Sequence, residues 1–165
     1  NQTRIAHNLA LSRGDGRTAE QHLERLTSQF SEPRIRFDDG SELLGVKLEF
    51  VGRPVLTLLF RAGEPHAHDI QLGVQSRVIE PARWSTTMAD PTVREVGIPA
   101  SLSLRRWRTG YLYTYPIVIR KRPGTEVFNL YFKLRRMSRA KDIPPPHIPK
   151  TQAGKRTIEV LRLTR

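Results

Sequence analysis

The sequence predicts a mainly β protein of α+β character: an antiparallel sheet or open barrel with one or two N-terminal helices and a proline-hinged C-terminal arm. Three observations carry that expectation. Apolar residues recur at helical spacing only in the first 31 residues, they alternate with polar ones over most of the remaining chain, and Pro144, Pro145, Pro146 and Pro149 crowd one late stretch. The 165 residues suit one domain plus an arm, divided here into a helix-plus-sheet domain over 1–141 and a linker with a docking arm over 142–165.

Ile5, Ala6 and Leu9 mark a short first helix, ended by Arg13-Gly14-Asp15-Gly16. Ala19, Leu23, Leu26 and Phe30 come next at spacings of 4, 3 and 4 on one face of a second helix, with Thr18 and Gln21 as its capping box. The Arg-Gly-Asp triplet between them is read as a helix boundary, because the chain opens without a signal-peptide pattern. From Glu32 the period changes to two. Residues 34–37 and 43–51 read as strands around Asp38-Asp39-Gly40, where Asp-Gly supplies a positive φ. On the second, Leu44, Val46, Leu48 and Phe50 face one way, and Gly45, Lys47 and Glu49 the other. Residues 55–61 are apolar on both faces, as a central strand requires. Ile70, Leu72, Val74 and Val78 define a strand over 69–80, and Pro81, Pro91 and Pro99 make 81–99 irregular. Residues 101–107, 111–122 and 126–136 alternate again, with Pro123-Gly124 joining the last two as a hairpin, hence a β-ribbon. Beyond the extended linker, Ile158, Val160, Leu161 and Leu163 make a last strand or a segment that docks on a neighbour.

The charge is uneven along this plan. Lys and Arg number 28 against 16 Asp and Glu, a net charge of +12. Residues 1–100 hold 12 basic and 13 acidic side chains, whereas residues 101–165 hold 16 and 3. Such asymmetry points to an anion-binding surface. A disordered basic tail fits poorly, because residues 101–136 contain Trp107, four Tyr and two Phe.

On the ribbon, Phe128, Leu130, Phe132 and Leu134 would face the core, while Tyr131, Lys133 and Arg135 share the other side with Arg120 and Arg122. Arg105, Arg106, Trp107 and Arg108 lie on the strand leading in, and Lys121, Arg136, Arg139 and Lys141 add cations around it. Cations that neutralise phosphates, beside flat rings on which bases stack, equip sheet-based single-strand binders. A two-stranded ribbon can also enter a DNA major groove. The expectation is a non-enzymatic nucleic-acid-binding protein, RNA or single-stranded DNA favoured. It would be a cytoplasmic subunit of a larger nucleoprotein complex, with the C-terminal arm docking on other protein subunits. A capsid or scaffold subunit with a basic nucleic-acid-facing surface is the alternative. No apolar run nears the roughly 18–20 residues of a membrane span, and no basic amphipathic helix suits a membrane surface.

No cofactor is expected. The absence of cysteine excludes disulfides, thiolate zinc sites, iron–sulfur clusters and a cysteine nucleophile, and no Gly-rich phosphate loop, Gly-x-Ser-x-Gly or His-Glu-x-x-His occurs. His66-Ala67-His68, with Asp69 next, sets two imidazoles on one side of an extended segment, where they could hold a divalent metal. This element resembles the His-hydrophobe-His element of replication-initiator and relaxase nucleases. The resemblance implies a metal at His66 and His68 and a tyrosine nucleophile, for which Tyr111, Tyr113 and Tyr115 are the candidates. The plainer reading is a loop pair after Glu64-Pro65. Asp38 and Asp39 ahead of Lys47-Leu48-Glu49 offer the parts of a paired-carboxylate nuclease, with the Lys and Glu reversed. An exposed ion pair on a hairpin explains those residues as well.

Overall fold

Helical spacing near the N-terminus is realised as two helices, α1 (Gln2–Ser12) and α2 (Gly16–Thr27). The computed structural model describes residues 2–66, 70–80, 93–96, 107–120, 125–134 and 147–164. Asp15 caps α2, its carboxylate accepting the Thr18 N–H at 3.1 Å. The cap therefore lies three residues ahead of the expected Thr18 box, because a short carboxylate at that boundary reaches the third free N–H of the helix. Leu23, Leu26 and Phe30 are buried against Leu44, Leu59 and Leu112, so α2 turns its expected face to the protein. α1 does not. Ile5 and Leu9 are 56% and 47% exposed, while His7 and Ala10 are buried. What orients α1 is Asn8: its side-chain oxygen accepts the Leu112 N–H at 2.8 Å, and its amide donates to the Leu112 carbonyl at 3.0 Å.

The rest of the chain supplies eight strands: β1 (Ile35–Arg36), β2 (Glu42–Val51), β3 (Arg53–Arg61), β4 (Ile70–Glu80), β5 (Val93–Val96), β6 (Leu112–Val118), β7 (Thr125–Leu134) and β8 (Thr157–Leu163). They divide into two four-stranded antiparallel sheets, ordered β1-β2-β3-β6 and β5-β4-β7-β8. The inner faces of both enter one core. Leu56, Leu58 and Phe60 from β3 meet Leu72, Val74 and Leu130 from the second sheet, and Phe37 stands edge-on to Phe132 at 4.8 Å between ring centres. The helices cover the outer face of the first sheet, giving three layers. β3 is central, as its two apolar faces demand: Leu58 faces the other sheet and Leu59 the helices.

Three expectations are corrected. Leu44 does not share a face with Val46, because a bulge between Leu43 and Gly45 resets the alternation and sends Leu44 toward the helices. The polar stretch 81–99 contains β5, a short edge strand paired to β4. The β-ribbon is not formed: β6 pairs with β3 and β7 with β4 and β8, in different sheets. The burial follows the pairing: β6 turns Tyr115 and Ile117 into the core and Leu112 under the helices, whereas β7 turns Phe128, Leu130 and Phe132 into the core from the second sheet. Of the two readings of the last apolar segment, a final strand or a segment docked on a neighbour, the structure has the strand, paired within its own chain. β8 pairs with β7, Val160 is buried, and Ile158, Leu161 and Leu163 pack on the core. The segment before it is also held, with the Asp38 N–H donating to the Lys150 carbonyl at 2.8 Å and Thr151 bridging to Phe37. Residues 142–146 of the expected linker, and 101–106 of the expected strand, lie outside the described residues. Among the described residues no helix is long and apolar enough to cross a membrane.

Candidate nucleic-acid interface

The outer face of the second sheet is built by alternation. Ile70, Leu72 and Val74 of β4 and Phe128, Leu130 and Phe132 of β7 are buried inward, so Gln71, Gln75, Arg77, Asn129, Tyr131 and Lys133 project from the other side. The register aligns Lys133 with Gln71, Tyr131 with Gly73 and Asn129 with Gln75. A Cβ on Gly73 would lie 2.6 Å from the Tyr131 Cζ, so the tyrosine ring lies over the glycine. Thr157 and Glu159 of β8 extend the Tyr131 and Asn129 rows, and Glu159 is paired with Arg162 at 2.7 Å. The face carries Arg77, Lys133 and the Glu159–Arg162 pair around the Tyr131 ring, with the buried Val127 in the Arg77 row.

Of the expected binding residues, Tyr131 and Lys133 share this face. Arg120 does not. It comes after β6 in the first sheet and is exposed, whereas Lys133 lies on β7 in the second sheet. Trp107 is not available as a stacking platform either. It is 7% exposed and stacks on Tyr113, ring centres 5.4 Å apart and planes 9° from parallel. An indole with apolar neighbours on both sides gains more from burial than from water. Arg108 is exposed, its guanidinium 5.8 Å from the Tyr111 ring centre. Arg105, Arg106, Lys121, Arg122, Arg135, Arg136, Arg139 and Lys141 lie outside the described residues. Arg77 was not among the expected residues. Its alternation with Gln71, Gly73 and Gln75 was readable, but that β4 lies beside β7 was not.

The histidine and carboxylate motifs assemble elsewhere, around the turn between β1 and β2. His66 Nε2 contacts Asp39 Oδ2 at 2.8 Å, and His147 Nε2 contacts Asp38 Oδ2 at 2.7 Å. Asp39 is buried, which by itself raises its pKa. The hydrogen bonds from His66 and from the Ser41 hydroxyl and N–H outweigh that and hold it below the usual carboxylate value. Glu42 is treated the same way: burial raises it, and Arg36 and Arg61, each 2.6 Å away, bring it lower. Asp38, Asp39, Glu42 and Arg61 border an open cleft of about 470 Å³ together with Glu64, Thr109 and Gly110. Each aspartate and Glu42 is thus occupied by a neighbour, and no group of three metal-ligating side chains occurs among the described residues. His68 lies outside them. Lys47 and Glu49 form an exposed pair at 2.7 Å. The tyrosines offered as nucleophiles are otherwise engaged: burial pushes the Tyr115 hydroxyl well above its ordinary pKa, and the Tyr113 hydroxyl accepts the Arg108 N–H at 2.9 Å.

Comparison with family models, with curated proteins and with solved structures finds no match to this chain.

Proposed function

We propose that this is a non-catalytic nucleic-acid-binding protein that holds a single strand across the outer face of the second sheet. The observation that carries the reading is the placement of Tyr131 over Gly73, at the centre of a polar antiparallel sheet, with Lys133 and Arg77 on the same face. An aromatic ring lying along a sheet offers its π-face to an unstacked base, and cations to either side suit the flanking phosphates. The opposite face of the same sheet packs Ile70, Leu72, Val74, Phe128, Leu130 and Phe132 into the core, which supports a partner on the outer face. The net charge of +12 supports the same class of partner through long-range attraction.

The reading is tested by fluorescence anisotropy with labelled 12-nucleotide single strands of RNA and DNA over a range of salt. Affinity should fall steeply as salt rises, Tyr131→Ala should weaken binding roughly tenfold, and Lys133→Ala should lower the salt slope by about 0.7. Absent or salt-independent binding would overturn it.

A further inference from the structure

The far end of the first sheet bears an exposed aromatic group that the folding of the chain does not use. Phe50 is 74% exposed at the end of β2, although it continues the inward phase of Val46 and Leu48. Val118, at the end of β6, is 50% exposed. The register brings these ends together: Phe50 lies opposite Pro54, Val55 opposite Val118, and the Pro54 carbonyl accepts the Ile119 N–H at 2.9 Å. Arg53 precedes Pro54 and Arg120 succeeds Ile119, so at the same tip the two lie on the neighbouring strands β3 and β6, one strand spacing or about 5 Å apart at the backbone. Both arginines are exposed and make no ion pair among the described residues. That contrasts with Arg36, Arg61 and Arg162, each held by a carboxylate. The clustered acids Asp38, Asp39 and Glu42 lie at the opposite end of this sheet, beside Arg61.

The backbone adds donors. Val46 exchanges both of its hydrogen bonds with Ser31 across the free edge of β2, at 2.8 Å each. Leu48 and Phe50, two and four residues on, therefore turn their N–H and C=O groups to the same edge, where no strand among the described residues pairs with them. The other edge of the sheet is closed to such pairing. There Leu112 is bonded to Asn8, and Pro116, four residues on, has no N–H to offer.

An exposed ring, two unpaired guanidiniums and outward backbone donors form a set that matches a polyanion carrying flat apolar groups. We infer that the tip formed by Phe50, Arg53 and Arg120 is a second single-strand contact, with a base stacked on Phe50 and adjacent phosphates held by Arg53 and Arg120. This inference rests on the nucleic-acid reading above and extends it to the other sheet.

The test uses the same labelled strands, at 12 and 30 nucleotides, with Phe50→Ala, Phe50→Trp, the double variant Arg53→Ala/Arg120→Ala, and Tyr131→Ala for reference. Phe50→Ala should weaken binding of the longer strand about tenfold and Phe50→Trp should retain it. The double variant should lower the salt slope by roughly 1.4. Thermal melting should be unchanged in the three tip variants, since the side chains changed are exposed. Binding that Tyr131→Ala weakens and that neither Phe50→Ala nor the double variant alters would overturn the tip while the function stands. Absence of any nucleic-acid binding by the unaltered protein overturns both. Association with vesicles of phosphatidylserine and phosphatidylcholine that Phe50→Ala abolishes, in a protein that ignores nucleic acid, would reassign the tip to a membrane surface.

Discussion

Asp39 shows how a single side chain secures a turn. Its carboxylate takes three hydrogen bonds, two from Ser41 and one from His66, in a setting where water contributes little. A carboxylate held below its unfolded pKa contributes stability that is present above the unfolded value and is lost as pH falls through the folded one. Glu42, between two arginines, adds to the same trend. The protein should therefore lose stability as pH drops below about 4. Asp39→Asn should cost about 1–3 kcal/mol at pH 7 and flatten that acid limb, as measured by urea unfolding at several pH values. A variant whose pH dependence matches the parent would remove Asp39 from this role.

At the scale of elements, the joint between α2 and the first sheet depends on what Gly45 lacks. A Cβ there would come within 2.6 Å of the Phe30 Cβ and 2.9 Å of the Ser31 carbonyl. Neither atom is the far end of a flexible side chain, so the strand and the chain leaving α2 would have to separate. Gly45→Ala should lower stability by about 1–3 kcal/mol, with the Tm drop visible by circular dichroism, and Phe30→Ala should give little further loss in its presence if the two report one contact. The joint of α1 is polar instead. Asn8 supplies both a donor and an acceptor to Leu112, in place of a neighbouring strand. Asn8→Ala leaves two part-buried backbone groups of β6 without that partner, at about 1–3 kcal/mol. Asn8→Leu, which restores bulk without hydrogen bonding, should not recover it.

On the scale of the whole molecule, the C-terminal segment completes the second sheet. β8 covers one edge of β7 and places Val160 in the core, and His147 and Lys150 fasten the segment before it to Asp38. Deletion of residues 157–165 should therefore abolish cooperative thermal unfolding. An independent arm would leave the melting curve unchanged.

Alternation alone established a good deal of this. It identified the inward faces of β3, β4 and β7, while helical spacing identified the buried face of α2 and a count of charges placed the net charge in the last 65 residues. Those features come from which residues prefer water, a property each side chain carries with it. Which strand lies beside which is a different kind of fact. Backbone hydrogen bonds are the same for every strand, so nothing in residues 111–136 distinguishes a ribbon from two strands in separate sheets. The tertiary structure decided that β6 joins β3 in the first sheet while β7 joins β4 and β8 in the second, and so buried Trp107, parted Arg120 from Lys133 and brought Tyr131 to Gly73. Side-chain solubility is written residue by residue; strand partnership is settled only when the whole core is packed at once.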